Sequence, residues 1–365
     1  FKHADLMKYL EGFKASLGDV IKLEQVGTSA ENRSINLLTL GKGKTKVFLW
    51  SQMHGDEPTA TMALLDILNY ISLNCNSVEI QKILSETTLL IIPMLNPDGA
   101  ERFQRRTSQG IDMNRDALSL QTPEAKVLKS LRDKYNPEIG FNLHDQDPRY
   151  TVGDSGDVST IALLAPSFNK EKSDNPVRLR AKKITAEIAN TLRQFIPRNI
   201  SRYDDTFEPR AFGDNVQKWG TSTILVESGG WKDDPAKMYI RKLNCVALLT
   251  ELYSIATNAY EKVSIADYEN IPMNTRNLFD VIVEKITLTF GNEKAPVIAD
   301  VAVNFEYMKE SNGNFKRIAR VMDVGDLSIF FAHEKLNGAG KNIEGSKVEI
   351  NEIIDMGVVR SVIKK

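Results

Sequence analysis

The sequence predicts an α/β fold in which a mixed, mostly parallel central sheet carries helices on both faces, followed by a small C-terminal β domain. From Thr45 to about Ala256, short apolar runs rich in β-formers alternate with longer segments of helical periodicity. The apolar runs are continuous, as expected for strands that are buried on both faces. After about residue 262, short and often alternating β-branched runs replace this pattern. We therefore predict two domains, residues 1–262 and an antiparallel β domain at residues 263–365.

Five apolar runs are predicted to form strands of the central sheet: residues 46–50, 87–95, 138–143, 160–165 and 222–227. The helices between them are predicted at residues 57–72, 122–135, 175–195 and 234–256. Three of these helices have a proline near the first turn, preceded by a polar residue that suits an N-cap. These expected N-caps are Thr122, Asn175 and Asp234.

The composition is that of a globular protein with a large core. Of the 365 residues, 42% are hydrophobic and 26% are charged, and the formal net charge is -1. This charge balance gives no reason to expect a nucleic-acid partner. No apolar run approaches the roughly 20 residues that span a bilayer, so we expect no membrane span. Because the chain begins at Phe1 rather than Met, we expect a fragment or a processed form. The sequence leaves open whether the protein is cytoplasmic or exported. It also leaves the oligomeric state open.

Polar clusters follow four of the predicted strands. They are "HGDE" (54–57), "NPDG" (96–99), "HDQ" (144–146) and Glu227, and they include two of the four histidines of the chain. In open α/β sheets, ligands bind beyond the carboxyl ends of the strands. These clusters are therefore expected to meet at one edge of the sheet.

The residue types in these clusters suit a zinc site. Catalytic zinc commonly takes two histidines and one carboxylate and keeps one position for water. His54 and Glu57 are three residues apart, and His144 from a neighbouring strand would complete a site for one Zn²⁺ per chain. Glu227 would accept a proton from water at that site. The alternative for His54 is an ordinary polar turn, because a histidine and a glutamate at this spacing often occur by chance.

The motifs "HGDE", "NPDG", "GIDMNRD", "LH" and "VES", in this order, resemble those of the zinc metallocarboxypeptidases related to carboxypeptidase A, in a bacterial-type member. The resemblance covers about residues 45–256. It implies a carboxypeptidase-like fold, a zinc cofactor, and a peptide substrate with a free C-terminal carboxylate. It also implies that His54, Glu57 and His144 are the three zinc ligands.

The resemblance implies further roles for individual residues. Asn114 and Arg115 match the pair that binds the terminal carboxylate of the substrate. Arg105 matches the arginine that polarises the scissile carbonyl, with Arg106 as the alternative one position on. Glu227 matches the general acid and base that activates water and protonates the leaving amine.

The segment "SRYDDTFEPRAFGDN" (201–215) matches the family less closely. Asp214 resembles the acidic residue of the family loop, and Tyr203 is a candidate for the tyrosine that closes over the substrate, or else a surface aromatic. The position that governs specificity in the family would be Gly213, which leaves space and adds no charge. Arg210 and Arg202 are candidates for attracting an acidic side chain. The alternative is that both are solvated or pair with the acidic residues of the same segment.

These observations favour a zinc-dependent exopeptidase that removes C-terminal residues from peptides. A zinc-dependent deacylase of a small acyl-amino acid is an alternative, because related zinc enzymes use a similar ligand set. A peptide- or glycan-binding module that no longer catalyses is an alternative of another class. The arginines of the segment at residues 96–116 favour the peptidase, and Glu227 argues against the binding module.

Overall fold

The computed structural model describes residues 1–291, 294–311 and 313–364. The helices are α1 (His3–Leu17), α2 (Thr59–Leu73), α3 (Val78–Glu86), α4 (Pro97–Arg102), α5 (Pro123–Tyr135), α6 (Pro176–Leu192), α7 (Phe212–Lys218), α8 (Met238–Thr257), α9 (Ile265–Glu269) and α10 (Met356–Lys364). The strands are β1 (Ile21–Thr28), β2 (Ser34–Leu40), β3 (Thr45–Ser51), β4 (Thr87–Ile92), β5 (Ile139–Asp145), β6 (Thr151–Val152), β7 (Ile161–Leu164), β8 (Ile200–Arg202), β9 (Ser222–Ser228), β10 (Asn274–Thr275), β11 (Leu278–Thr289), β12 (Val297–Lys309), β13 (Phe315–Gly325), β14 (Phe331–Asn337), β15 (Asn342–Glu344) and β16 (Ile353–Ile354).

The chain forms two compact units. The first comprises residues 1–148 and 159–274, and the second comprises residues 149–158 and the chain from residue 275 onwards. The first unit extends past the boundary predicted after residue 262. The reason is that α9 packs on α6, where Lys182 Nζ donates to Glu269 Oε1 at 2.7 Å.

An eight-stranded mixed sheet forms the centre of the first unit, with the strand order β1-β2-β4-β3-β5-β9-β7-β8. The pairs β4/β3, β3/β5, β5/β9 and β7/β8 are parallel. The pairs β1/β2, β2/β4 and β7/β9 are antiparallel. The predicted α/β fold with a mixed sheet is confirmed, and the carboxyl ends of β3, β5 and β9 meet at one edge.

Helices cover both faces of this sheet. Buried side chains of α1, α2, α3, α6 and α8 pack on one face, whereas those of α5 and α7 pack on the other. Strand β3 contributes to both cores, because Leu49 points to the first face and Trp50 to the second. Burial on both faces explains why the apolar runs of the central strands do not alternate.

Two of the three expected helix caps are confirmed. Thr122 Oγ1 accepts a hydrogen bond from the backbone of α5, and Asn175 Oδ1 accepts one from the backbone of α6. The expectation for Asp234 is wrong in position, because α8 begins at Met238 with Lys237 as its N-cap. The Asp234 carboxylate instead accepts from the first three backbone N–H groups of the helix, beginning with that of Met238 at 2.7 Å.

The second unit contains a six-stranded sheet with the order β14-β11-β12-β13-β16, and β15 also pairs with β11. The pairs β11/β12, β12/β13 and β13/β16 are antiparallel, but β14 and β15 run parallel to β11. The expectation of an antiparallel sheet is wrong for these two strands, because the alternation of apolar residues does not encode strand direction. Residues 292, 293, 312 and 365 of the predicted β domain lie outside the described residues. None of the helices described has both the length and the apolar character needed to cross a bilayer.

Candidate active site

The sheet topology brings three of the sequence-predicted site residues to one edge. His54 follows β3 in a turn closed by the Glu57 backbone N–H, which donates to the His54 carbonyl at 3.2 Å. His144 lies near the end of β5, directly opposite Glu227 of the neighbouring strand β9. Because β3, β5 and β9 are parallel, their carboxyl ends deliver these side chains to a common point.

The side chains of His54, Glu57 and His144 form a compact buried cluster. His54 Nδ1 lies 2.7 Å from Glu57 Oε1, and His144 Nδ1 lies 2.8 Å from Glu57 Oε2. The two Nδ1 atoms are 3.2 Å apart. Within the described ranges, this is the only group of His, Cys, Asp or Glu side chains whose ligand atoms converge in this way, all within 4.8 Å of one another.

The donor set of this cluster fits a zinc ion. Two nitrogens bound to one tetrahedral zinc at about 2.0–2.1 Å lie about 3.3 Å from each other, close to the observed separation of the two Nδ1 atoms. Imidazole nitrogen and carboxylate oxygen are the ligand types that catalytic zinc prefers. The residues therefore supply the three protein ligands that a catalytic zinc site requires.

Asp112 orients His54 and was missed by sequence reasoning. Its Oδ1 atom lies 3.2 Å from His54 Nε2, the ring nitrogen that faces away from Glu57. A carboxylate at that position fixes the tautomer in which Nε2 carries the proton and Nδ1 faces the metal. The signal was present in the sequence, because Asp112 lies inside the "GIDMNRD" motif two residues before Asn114.

The charges of the cluster shift its pKa values strongly. Burial lowers the pKa of His54, but the carboxylates of Glu57 and Asp112 raise it to about 9. Burial raises the pKa of Glu57, yet His144 and His54 together hold it below its ordinary value. A metal cation would displace the proton from this cluster, since zinc binds neutral imidazole and ionised carboxylate.

Arg105 lies beside the proposed ligands. Its Nη1 atom is 3.1 Å from His54 Nδ1 and 3.3 Å from Glu57 Oε1, and its Nε donates to Asp112 Oδ2 at 3.1 Å. Arg106, the alternative, instead donates to the Gly110 carbonyl. The geometry therefore favours Arg105 over Arg106 as the arginine of the site.

Glu227 has the properties of a proton acceptor. Its carboxylate is buried, and its Oε2 atom makes no hydrogen bond to any described residue. Burial, reinforced by the negative charge of Glu57, raises the pKa of Glu227 well above its ordinary value. A carboxyl group whose affinity for protons is raised in this way suits general base and acid chemistry near neutral pH.

Asn114 and Arg115 lie on the same loop as Asp112. The Asn114 backbone N–H donates to Asp112 Oδ1 at 2.9 Å, and Asn114 Oδ1 accepts from the Phe212 N–H at 2.9 Å. With its oxygen occupied in this way, Asn114 offers its Nδ2 group as a donor. Arg115 is more exposed, and its Nε atom lies 3.4 Å from Glu208 Oε2.

Comparison with known proteins agrees with this geometry. Residues 6–155 match the family model described as zinc carboxypeptidase. The chain is similar to Carboxypeptidase 2 of Trichophyton rubrum, at 32% identity over 186 residues that cover 50% of this chain and 33% of that protein. It is also similar to Probable carboxypeptidase 2 of Arthroderma benhamiae, at 29% identity over 183 residues that cover 50% of this chain and 34% of that protein. Residues 6–155 are thus similar to the zinc carboxypeptidase family.

Most of the chain shares its fold with solved structures. Carboxypeptidase A from Helicoverpa armigera superposes with a TM-score of 0.57 at 14% identity, covering 72% of this chain and 75% of that chain. The curated relatives are longer proteins, and the chain spans only about a third of the length of the two relatives above.

The segment from the end of β8 to α7 holds the remaining candidates. Arg210 donates from Nε and Nη2 to Glu208 at 3.0 and 2.8 Å, and Arg202 donates to Glu269 at 2.9 Å. Both arginines suggested as attracting acidic side chains of a substrate are therefore in ion pairs. Arg210 pairs within its own segment, as the alternative interpretation expected, whereas the partner of Arg202 lies outside that segment. Tyr203 follows β8, where its backbone N–H donates to the Leu163 carbonyl at 2.9 Å.

Asp214 and Gly213 lie at the start of α7. Asp214 Oδ1 accepts from the Glu208 N–H at 3.1 Å, and burial raises the pKa of Asp214 to about 7. A Cβ atom at Gly213 would lie 3.2 Å from Asn142 Nδ2. Asp214 therefore anchors the loop that carries Glu208, and Gly213 permits close packing against β5.

The "NPDG" motif supports the loop that carries Arg105. Asn96 Nδ2 donates to the Met53 carbonyl at 3.2 Å, just before His54. Asp98 is fully buried, and its carboxylate accepts from Ser108 at 3.1 Å as well as from the β1–β2 turn. A Cβ atom on Gly55 would lie 2.0 Å from the backbone of Gly99, so this position requires glycine. The motif therefore has a structural role in joining the two loops of the site.

Proposed function

We propose that this chain is a zinc-dependent carboxypeptidase that hydrolyses the C-terminal peptide bond of peptides. The observation that carries the proposal is the convergence of two imidazole nitrogens and one carboxylate opposite Glu227, whose Oε2 atom has no hydrogen-bond partner among the residues described. The carboxypeptidase relatives support it, since their names describe this activity and their sequences match half of the chain.

His54, Glu57 and His144 would hold one zinc ion, which when bound acidifies water and polarises the scissile carbonyl. Glu227 accepts a proton from the attacking water and passes it to the leaving amine. Arg105 donates hydrogen bonds to the carbonyl oxygen as negative charge develops there.

Asn114 and Arg115 restrict the reaction to chain ends in this proposal. An arginine fork and an amide donor suit a carboxylate, and Arg115 is 39% exposed, so a substrate can reach it. Arg210 and Asp214 act less directly, because Arg210 is paired with Glu208 and Asp214 binds the backbone of the same residue. Tyr203 stays a candidate for the residue that covers the bound C-terminal side chain.

The test is digestion of matched peptides that differ only at the C-terminus. The zinc-loaded chain should remove single residues from peptides with a free carboxylate and leave C-terminally amidated copies intact, as measured by mass spectrometry. A chelator should abolish the activity, and added zinc should restore it. Internal cleavage, or equal cleavage of the amidated copies, would refute the proposal. Hydrolysis of N-acetyl amino acids without any cleavage of peptides would favour the deacylase instead.

A further inference from the structure

Lys237 makes contacts that link three segments of the active site. Its Nζ atom donates to Asp145 Oδ2 at 3.0 Å and to the Ser228 carbonyl at 2.9 Å. The same Asp145 oxygen accepts from Thr59 Oγ1 at 2.6 Å. One ammonium group and one carboxylate thus connect the start of α2, the end of β5 and the end of β9.

Each of these contacts lies next to a proposed functional residue. Asp145 directly follows His144, and Ser228 directly follows Glu227. Thr59 lies two residues after Glu57. In addition, the Asp145 backbone N–H donates to Glu57 Oε2 at 3.2 Å. The network therefore touches the backbone or side chain beside two proposed metal ligands and the proposed general base.

The surroundings of the ion pair make Lys237 hard to replace. The Asp145 side chain is only 8% exposed, and its Oδ1 atom has no hydrogen-bond partner among the described residues. Without Lys237, a buried carboxylate would lose its cation, which is strongly unfavourable.

The backbone of Lys237 points to the same conclusion. Its φ of 54° lies in the left-handed region, which is unfavourable for a lysine. The side chain is not needed to cap α8, because Asp234 binds the first N–H groups of that helix. The backbone conformation alone would favour glycine at this position. The contacts of the ammonium group with Asp145 and Ser228 therefore explain why a lysine is found there.

We propose that Lys237 is a positioning residue, whose ammonium group fixes the segments that carry Glu57, His144 and Glu227 in their relative positions. The proposal rests on the proposed function in assigning roles to those three residues. Lys237 does not touch the substrate or the reacting atoms in this scheme. Its effect reaches the metal through Asp145 and the reaction through the position of Glu227.

The experiment compares Lys237→Met with Lys237→Arg and with the control Lys242→Met. Lys242 is exposed and lies on the same helix, so the control makes the same substitution away from the site. Zinc affinity is measured by competition with a chelator, and kcat and KM are measured separately on a peptide with a free C-terminus. Lys237→Met should weaken zinc binding and lower kcat by about 10- to 100-fold each, with KM within about threefold. Lys237→Arg should recover part of both losses because it keeps the cation, and Lys242→Met should match the wild type.

Thr59→Val provides a second variant that keeps the charge of Lys237 and removes only one hydrogen bond to Asp145. It should weaken zinc binding by about three- to tenfold and remain folded, so it decides the question if Lys237→Met does not fold. The proposal is overturned if both Lys237→Met and Thr59→Val, or Thr59→Val alone where the first is unfolded, keep the wild-type zinc affinity and kcat. Zinc affinity does not depend on turnover. If the wild-type chain binds zinc but releases no amino acids, the proposed function is refuted. The positioning role of Lys237 is then still tested by the zinc affinities of the variants.

Discussion

The metal cluster and the arginines around it differ sharply in how they are held. The three proposed ligands are 2–7% exposed and lie at the ends of packed strands or in the tight turn after one. The side chains of Arg105, Arg115 and Arg210 are 39–58% exposed and extend from loops or from a short 3-10 turn. A metal site needs fixed distances between its ligands, whereas residues that bind a substrate must remain accessible to it.

This contrast predicts different consequences of substitution. Changes in the buried cluster and beside it should alter metal binding or the chemical step, with effects that salt screens only weakly. Changes among the exposed arginines and their partners should mainly alter substrate binding and depend on ionic strength.

The largest effect is expected from Glu227→Gln. The variant keeps the size and burial of the side chain and removes the group that accepts the proton. We expect kcat to fall by about 10²- to 10⁴-fold, with zinc still bound, because Glu227 is not among the clustered ligand atoms. Single-turnover assays together with elemental analysis check this. Near-normal turnover of blocked dipeptides by the variant would show that another group activates water.

The convergence of the three proposed ligands could be predicted from the sequence because their signals are local. Each polar cluster follows a continuous apolar run, and the parallel arrangement of such runs brings their ends together. His54 and Glu57 share one turn, so their spacing alone places them near each other. The resemblance to carboxypeptidases then supplied the loop residues Asn114 and Arg115.

Other features of the site depend on contacts between distant parts of the chain. Lys237 meets Asp145 across 92 positions, and no local pattern indicates which of many lysines makes this contact. The pairing of Arg210 with Glu208 was among the alternatives, because both lie in one short segment, but the contact of Glu208 with Arg115 joins two separate segments and was not predicted. The parallel pairing of β14 with β11 could not be inferred either, because the alternation of apolar residues along a strand does not specify its direction.

A second prediction separates the roles of two arginines. Arg105→Met should lower kcat by about 10²- to 10³-fold, because it removes the proposed donor to the developing oxyanion. Arg115→Met should instead raise KM by about 10- to 100-fold and leave kcat within a fewfold, because it removes a charge-assisted contact to the substrate carboxylate. Steady-state kinetics on one peptide series measures both. The same kinetic signature for the two variants would remove the distinction drawn between them.

A third prediction concerns stability and pH at the loop anchor. Burial raises the pKa of Asp214 to about 7, so the folded state favours the protonated carboxyl group. The stability from this preference is present below about pH 4 and is lost as the pH rises through about 7. Asp214→Asn stays neutral and can keep the hydrogen bond to the Glu208 N–H. Relative to wild type, it should therefore gain about 4 kcal/mol of stability between pH 4 and pH 8, because the shift of about three pKa units corresponds to about 1.4 kcal/mol per unit.

Urea unfolding of the metal-free chain at both pH values measures this change. The control is Asp204→Asn, which neutralises an exposed aspartate in the same loop and should show no comparable gain. A gain for Asp214→Asn that is equal at pH 4 and pH 8 would mean that ionisation of this carboxyl group does not oppose folding.

The smallest effect is expected from Glu208→Gln, which tests whether the exposed cluster is adapted to yield to a substrate. The Glu208 carboxylate lies 3.4 Å from Arg115 and binds Arg210 through two hydrogen bonds, so a substrate carboxylate must compete with it for Arg115. Removing the charge should lower KM by about two- to fivefold at low salt, with kcat little changed, since exposed ion pairs contribute about 0.2–1 kcal/mol. The difference should shrink at high salt.

Glu269→Gln, which removes an exposed partner of Arg202, serves as the control and should leave KM unchanged. An increase in KM for Glu208→Gln would instead show that Glu208 holds Arg115 in its binding position, and the exposed cluster would then be as fixed as the metal site.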